Sequence, residues 1–152
     1  MASSAACDKG MGSLQISDAS RSASSGANVK PRAPKPPEAS EPGRFPFKTG
    51  GTGYPDLVES RTAQGVFFRG PSAVWFRLRH ALIEGEAPTP IERVAVAADS
   101  GNGISAILDF ERYLFVNSDL TVNLLRRPQG EWICIEARTL LGEVSGAVSS
   151  WT

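Results

Sequence analysis

The fold is decided by the stretch TPIERVAVAADSGNG at residues 89–103. Thr89 suits the N-cap of a helix, and Pro90 suits the first helical position. Glu92, three residues after the cap, is placed to reach back to the Thr89 amide and complete a capping box. The helix body, residues 91–98, is apolar nearly all round, and a helix of that composition is expected to be buried. The stretch therefore predicts one well-bounded, buried helix.

Two strands are predicted before this helix. Residues 57–68 resemble a first strand, irregular around Gly65, and Gly70-Pro71 marks a turn. Residues 72–80 then alternate between apolar and polar side chains, which indicates a strand with one buried face. The apolar side is formed by Val74, Phe76 and Leu78, and the opposite side by Trp75, Arg77 and Arg79.

Further strands are predicted after the helix. Gly101 and Gly103 should interrupt the helix, with a last helical turn over 104–108. The predicted strands then cover residues 113–125, 132–140 and 147–151, and a turn at 128–130 should join the first two as a hairpin. This order predicts an α+β domain in which an antiparallel sheet wraps around one buried helix.

Composition divides the chain into three parts. Residues 1–30 are rich in Ser, Ala and Gly and are expected to form a disordered tail. Residues 31–50 contain six of the eleven prolines and are expected to be a semi-extended linker. The folded domain is expected over residues 51–152.

Charge and residue counts argue against several classes of function. Residues 1–50 carry seven basic and four acidic side chains, and residues 51–152 carry nine and twelve, so neither part has the strong positive charge of a nucleic-acid-binding surface. Two cysteines and one histidine provide neither a disulfide framework nor a zinc site, and no cofactor or metal is expected. Without an apolar run of membrane-spanning length, the expectation is a soluble cytoplasmic protein.

Asp99 is the first candidate for chemistry. The dipole at the C-terminal end of a helix disfavours a negative charge by roughly 0.3–1 kcal/mol, so a buried Asp99 would be a stronger base than a surface aspartate. The alternative is local, because Asp-Ser-Gly-Asn-Gly is common in helix ends and turns. Composition alone favours this second interpretation.

A second polar cluster, Asn117, Ser118 and Asp119, breaks an apolar strand. It could orient a water molecule, or it could mark a bulge or a solvent-facing stretch. Thr121 continues the same polar side. Residues alone leave these alternatives open.

From about residue 55 onward the chain resembles the C-terminal half of a double hot-dog acyl-CoA thioesterase of the type-II class. The resemblance depends on the order and spacing of four pieces of sequence, namely residues 70–75, 98–103, 114–121 and 130–132. It implies hydrolysis of acyl-CoA to a free fatty acid and CoA, and it implies a hot-dog fold. It also implies that the Pro-rich segment is similar to the linker between the two hot-dog domains.

The resemblance also implies roles for individual residues. Asp99 takes the position of the aspartate that deprotonates the attacking water, and Asn117 takes the position of a threonine that holds the water by a hydrogen bond. Asp119, Thr121, Gly101 and Asn102 are expected to support the site or bind substrate. The family's glutamine would lie beyond Thr152, on a last strand that the chain would lack.

Such an incomplete domain is expected to pair with a second hot-dog domain, most simply in a homodimer. The alternative function is a catalytically impaired half that binds acyl-CoA or pairs with another subunit.

Overall fold

The computed structural model describes residues 13–14, 34–46, 50–113, 119–141 and 146–151. These residues form seven strands, three short α-helices and one 3₁₀ turn. The strands are β1 (Ser13–Leu14), β2 (Glu41–Pro42), β3 (Val58–Val66), β4 (Arg69–Leu78), β5 (Thr121–Val122), β6 (Ile133–Leu141) and β7 (Gly146–Trp151). The helices are α1 (Tyr54–Leu57), α2 (Pro90–Ala98) and α3 (Gly101–Ile104), and the 3₁₀ turn is Pro37–Ala39.

The centre of the sheet is the antiparallel run β3-β4-β6-β7. Val74 of β4 stands opposite Thr62 of β3 and Ile135 of β6, and Arg138 of β6 stands opposite Ser149 of β7. The short strand β2 extends the sheet beside β3, and β1 and β5 extend it in parallel beyond β7. This mixed α and β arrangement is the hot-dog type of fold, as the sequence predicts.

The main core lies between one face of this sheet and the helices. Val74 and Phe76 project from β4, Ile133 and Ile135 project from β6, and all four side chains are buried. Helix α2 contributes Val94, Ala97 and Ala98 to the same core. The predicted alternation of β4 is confirmed, because Trp75 belongs to a separate cluster on the other face of the sheet. The prediction that only one face of this strand is buried is wrong, since Ala73 is 1% exposed and Trp75 is 3% exposed.

The predicted helix start is confirmed. The backbone N–H of Thr89 donates to the Glu92 carboxylate at 2.6 Å, and the N–H of Glu92 donates to the Thr89 hydroxyl at 3.3 Å. The prediction that the helix is buried all round is wrong, since Ile91 is 50% exposed and Ala95 is exposed. The sheet covers only one side of α2, so the apolar side chains on its other side remain at the surface.

The turn between the first two strands lies three residues earlier than predicted. Val66 pairs with Arg69, so Phe67 and Phe68 form the turn and Gly70-Pro71 belongs to β4. Phe68 has a positive φ of 62°, which is uncommon for a residue other than glycine. Its N–H donates to the carbonyl of Ile104 at 3.2 Å, and this tertiary contact helps to hold the conformation.

The predicted position of the helix interruption is also wrong. Gly101 and Gly103 lie inside α3, and residues 105–108 that follow it are not helical. Ser105 forms the C-cap instead, and its hydroxyl, which is buried, donates to the Gly101 carbonyl at 2.9 Å.

The predicted hairpin at residues 128–130 is not formed. Strand β6 pairs with β4 on one side and β7 on the other, so no edge of β6 is open to the preceding strand. Of the strand predicted over 113–125, residues 121–122 form β5 beside β1, and residues 114–118 lie outside the described part of the chain. The predicted strands over 132–140 and 147–151 are confirmed as β6 and β7.

The described part of the Pro-rich segment packs against the sheet. Pro37 is buried, and Ser40 is 8% exposed. The carbonyl of Lys35 accepts a 2.7 Å hydrogen bond from the Trp75 indole N–H, and the carbonyl of Pro37 accepts one of 3.0 Å from Arg61. Residues 34–46, expected from composition to be a linker, therefore cover part of the outer face of the sheet. Of the predicted tail, only Ser13–Leu14 is described, and it forms β1.

Candidate functional site at the end of helix α2

Asp99 is the C-cap of α2, as the sequence predicts, and its side chain is exposed. The prediction that Asp99 is buried is wrong, because α2 turns only the side with Val94, Ala97 and Ala98 toward the core. Exposure has a chemical consequence. An exposed aspartate is accessible to water.

The backbone that follows Asp99 is hydrogen-bonded to the sheet. The carbonyl of Ile104, at the end of α3, accepts hydrogen bonds from the Ser72 hydroxyl at 2.8 Å and from the Phe68 N–H. The N–H of Gly70 donates to the Ala106 carbonyl at 2.8 Å. Since Ser72 and Gly70 belong to β4, these bonds fix the end of α3 against that strand.

A second pair of hydroxyl groups joins α3 to β6. The Ser105 and Thr139 hydroxyl oxygens are 2.8 Å apart. Ser105 has a single hydroxyl proton and gives it to the Gly101 carbonyl, so Thr139 must donate to Ser105. Thr139 is half-buried, and its oxygen keeps the capacity to accept a hydrogen bond.

Tyr54 reaches the same end of α2 from α1. Its hydroxyl lies 2.6 Å from the Ser100 hydroxyl and donates to the Val96 carbonyl at 2.9 Å. Burial raises the pKa of Tyr54 to about 12; the hydrogen bond from Ser100 opposes this, and the nearby charge of Asp99 adds to it. Tyr54 is therefore a neutral phenol close to the candidate base.

Sequence reasoning missed Tyr54, Ser105 and Thr139. Tyr54 is separated from Ser100 by 46 positions, and Ser105 is separated from Thr139 by 34. No local motif connects residues so far apart in the chain. Only the packing of α1 on the end of α2, and of α3 on β6, brings the two members of each pair together.

The other predicted site residues are distributed over several elements. Gly101 and Asn102 belong to α3 next to Asp99, where Gly101 is buried and Asn102 is half-buried. Asp119 and Thr121 are exposed, and Thr121 belongs to β5, which lies beyond β7 and β1 in the sheet. Asn117 lies outside the described residues, so its grouping with Asp99 stays a prediction.

A groove of about 880 Å³ begins where α3 ends, and it is lined by apolar side chains together with Arg69, Asp109 and Glu111. Its walls include Phe67 and Phe68 of the turn, together with Ile107 and Phe110 of the loop after α3. The rings of Phe68 and Phe110 are 5.7 Å apart, and a Cβ at Gly103 would lie 3.3 Å from the Phe68 ring. The groove and the Asp99 turn are thus connected through α3.

Two kinds of feature are absent from the described residues. They contain no group of three or more His, Cys, Asp or Glu side chains that could hold a metal ion. None of their helices has the length and apolar character required to cross a membrane.

The comparisons with known proteins agree with this fold. A family model described as the acyl-CoA thioesterase C-terminal domain matches residues 31–145, which is more than half of the chain. No significant match was found among curated proteins or among solved structures. The matched range contains the Pro-rich segment that packs on the sheet, and it contains α2, Asp99 and α3. The chain belongs to the family of acyl-CoA thioesterase C-terminal domains.

Proposed function

We propose that the protein hydrolyses fatty acyl-CoA to a free fatty acid and CoA, with Asp99 as the general base. The observation that carries this proposal is the family match across residues 31–145, with Asp99 exposed at the end of α2. The mixed fold, with its helices packed on one face of an antiparallel sheet, supports it as well.

The reaction requires a water molecule that is held and deprotonated beside the thioester. Asp99 takes the proton as the water oxygen attacks the thioester carbonyl carbon. The carbon–sulfur bond then breaks, and the proton held by Asp99 passes to the leaving CoA sulfur. Asn117 would hold the water through its side-chain amide, which can both donate and accept hydrogen bonds.

The remaining predicted residues would support the substrate. Gly101 and Asn102 adjoin Asp99 in α3, and Asp119 and Thr121 would line the approach to the thioester. The groove beside Phe68 and Phe110 has the apolar walls that an acyl chain requires. Its position after α3 would let a chain enter it while the thioester stays near Asp99.

A second candidate function is a binding or pairing module without efficient catalysis. Large apolar side chains on the described surface favour it, notably Val66 at 59% and Phe110 at 47% exposed. Such side chains are typical of a surface that a partner covers. A homodimer, or a complex with a separate hot-dog domain, would cover them.

The test measures the hydrolysis of a panel of acyl-CoA thioesters of different chain length. The release of free thiol reports the rate of hydrolysis. We expect turnover by the wild-type protein and its loss in Asp99→Ala. The matched control is Glu84→Ala, which removes an exposed carboxylate from the loop before α2. Binding of a non-hydrolysable thioether analogue without any turnover of the panel would favour the second function.

A further inference from the structure

The contact between Tyr54 and the end of α2 has a defined direction of proton donation. The hydroxyl of Tyr54 has one proton, and the Val96 carbonyl can only accept, so the 2.9 Å contact uses that proton. The 2.6 Å contact with Ser100 must then be donated by Ser100. The result is a directed chain of hydrogen bonds from Ser100 through Tyr54 to Val96.

These hydrogen bonds are made on both sides of Asp99 in the sequence. Val96 lies three residues before Asp99 and Ser100 lies one residue after it, so Tyr54 binds the backbone on one side and a side chain on the other. Since the Ser100 proton is given to Tyr54, Ser100 cannot also donate it to the Asp99 carboxylate. Tyr54 therefore links the last turn of α2 to the residue that follows Asp99.

Tyr54 is itself held firmly enough to act as an anchor. The N–H of Gly53 donates to the Asp56 carboxylate at 2.9 Å, which closes the start of α1. The N–H of Arg79 donates to the Leu57 carbonyl at 2.9 Å, which ties the end of α1 to the end of β4. The Tyr54 ring also packs edge-on against Phe45, with 5.7 Å between the ring centroids.

We propose that Tyr54 is a positioning residue for Asp99, acting through the Val96 carbonyl and the Ser100 hydroxyl. This inference depends on the proposed thioesterase function, in which Asp99 must keep a fixed orientation toward the water. Tyr54 does not take part in proton transfer. Its phenol keeps its proton at the pH values of an assay, and its proton is already given to a carbonyl.

The kinetic test is Tyr54→Phe, which removes one hydroxyl and keeps the ring. We expect kcat to fall about tenfold and KM to stay within about twofold, because a displaced base slows the chemical step without removing a substrate contact. Ser100→Ala should lower kcat in the same direction, and the double variant should add little, because both residues act through one chain of hydrogen bonds. Tyr113→Phe is the matched control, since Tyr113 is the other tyrosine of the chain and is exposed. A kcat of Tyr54→Phe equal to that of the wild type would overturn the proposal.

A second readout separates this proposal from the proposed function. The heteronuclear ¹⁵N NOE of the Asp99 amide reports the order of the turn whether or not the protein hydrolyses acyl-CoA. We expect this NOE to decrease in Tyr54→Phe and Ser100→Ala, and to stay unchanged in Tyr113→Phe. An unchanged Asp99 NOE in Tyr54→Phe and Ser100→Ala would overturn the positioning role. Absence of hydrolysis by the wild type, with a reduced NOE in both variants, would reject the proposed function. It would still support the role of Tyr54 in ordering the Asp99 turn.

Discussion

At the scale of single residues, Gly65 makes the closest approach to neighbouring backbone among the described glycines. Its φ is +77°, and a Cβ built on it would lie 2.4 Å from the Pro71 carbonyl oxygen. The register of β3 against β4 shifts on both sides of the preceding residue, Gln64, and the second of these shifts spans Gly65. Gly65 thus permits an irregular strand to lie directly against its neighbour.

We expect Gly65→Ala to lower the free energy of unfolding by more than about 2 kcal/mol, since it combines a positive φ with a clash against backbone. The measurement is urea unfolding followed by circular dichroism. The control is Gly85→Ala, where φ is +80° but no atom lies within 4 Å of the added Cβ. The control should lose only about 1 kcal/mol, from the conformational strain alone. Equal losses for the two variants would contradict the close approach at Gly65.

Cys134 is an inert thiol. It is 1% exposed, and burial raises the pKa of the thiol to about 12, with the Glu136 charge adding to the effect. In a Cys7→Ser background we expect no reaction of the folded protein with a disulfide reagent at pH 8, and full reaction in 6 M guanidinium as about one thiol per chain. Rapid labelling of the folded protein would show that Cys134 is accessible.

Individual residues also differ in how well the sequence predicts their conformation and burial. The capping box of Thr89 and Glu92 was predicted correctly because all of its partners lie within four positions. The turn at Phe67 and Phe68 was not predicted, because the positive φ of Phe68 is supported by a hydrogen bond to the carbonyl of Ile104, which is distant in the chain. Burial of Asp99 was misjudged for a similar reason, since composition does not show which side of α2 the sheet covers.

At the scale of elements, the Pro-rich segment 34–46 behaves as part of the sheet's outer layer. Glu41 and Pro42 pair with β3, and Lys35 and Pro37 accept hydrogen bonds from Trp75 and Arg61. The composition of this segment indicates low helix and strand propensity. It does not show that the indole of Trp75 and the guanidinium of Arg61 donate hydrogen bonds to its carbonyl groups.

We expect Trp75→Phe to accelerate tryptic cleavage after Arg44 several-fold, because the loss of the indole donor weakens the attachment of segment 34–46 and increases its local opening. Mass spectrometry of the fragments gives the rate. The control is Trp132→Phe on the same face, where the ring lies between Arg61 and Arg77. Equal cleavage rates in the wild type and Trp75→Phe would show that the indole bond does not hold the segment.

Elements and their pairing differ in how well they could be predicted. Strands β4, β6 and β7 were found from alternation and turn signals, because each has a local pattern. The hairpin at residues 128–130 was predicted from the same kind of signal and is wrong, since β6 pairs with β4 and β7 instead. Pairing is decided by competition among all strands, which no single segment encodes.

At the scale of the whole molecule, stability should decrease in alkaline solution. The pKa of Tyr54 is raised from 10.0 to about 12, and that of Cys134 from 9.0 to about 12. Both raised values mean that the folded protein retains protons that the unfolded chain releases. Their contribution to stability is therefore complete below about pH 9 and is lost as the pH rises toward 12.

We expect the free energy of unfolding to fall between pH 9 and pH 12, and to fall less steeply in a Tyr54→Phe, Cys134→Ala double variant. Urea unfolding at several pH values in this window gives both slopes. Tyr113→Phe, as the exposed counterpart, should keep the wild-type slope. Identical slopes in the wild type and the double variant would contradict the burial of these two groups.

The functional site shows the same division between local and distant information. Asp99 was identified from its place at the end of a capped helix and from family resemblance. Its surroundings, formed by Tyr54 of α1, Ser72 of β4 and Thr139 of β6, come from three separate parts of the chain. Only the folded molecule brings Tyr54 to the end of α2 and brings Ser72 and Thr139 to the end of α3.

The central claim is that Asp99 activates water for thioester hydrolysis, and the most direct test is the kcat of Asp99→Asn. This substitution keeps the size of the side chain and removes its capacity to accept a proton. We predict a fall in kcat of at least about 100-fold on the best acyl-CoA substrate, with Glu84→Gln close to the wild type. Hydrolysis by Asp99→Asn at the wild-type rate would contradict the account.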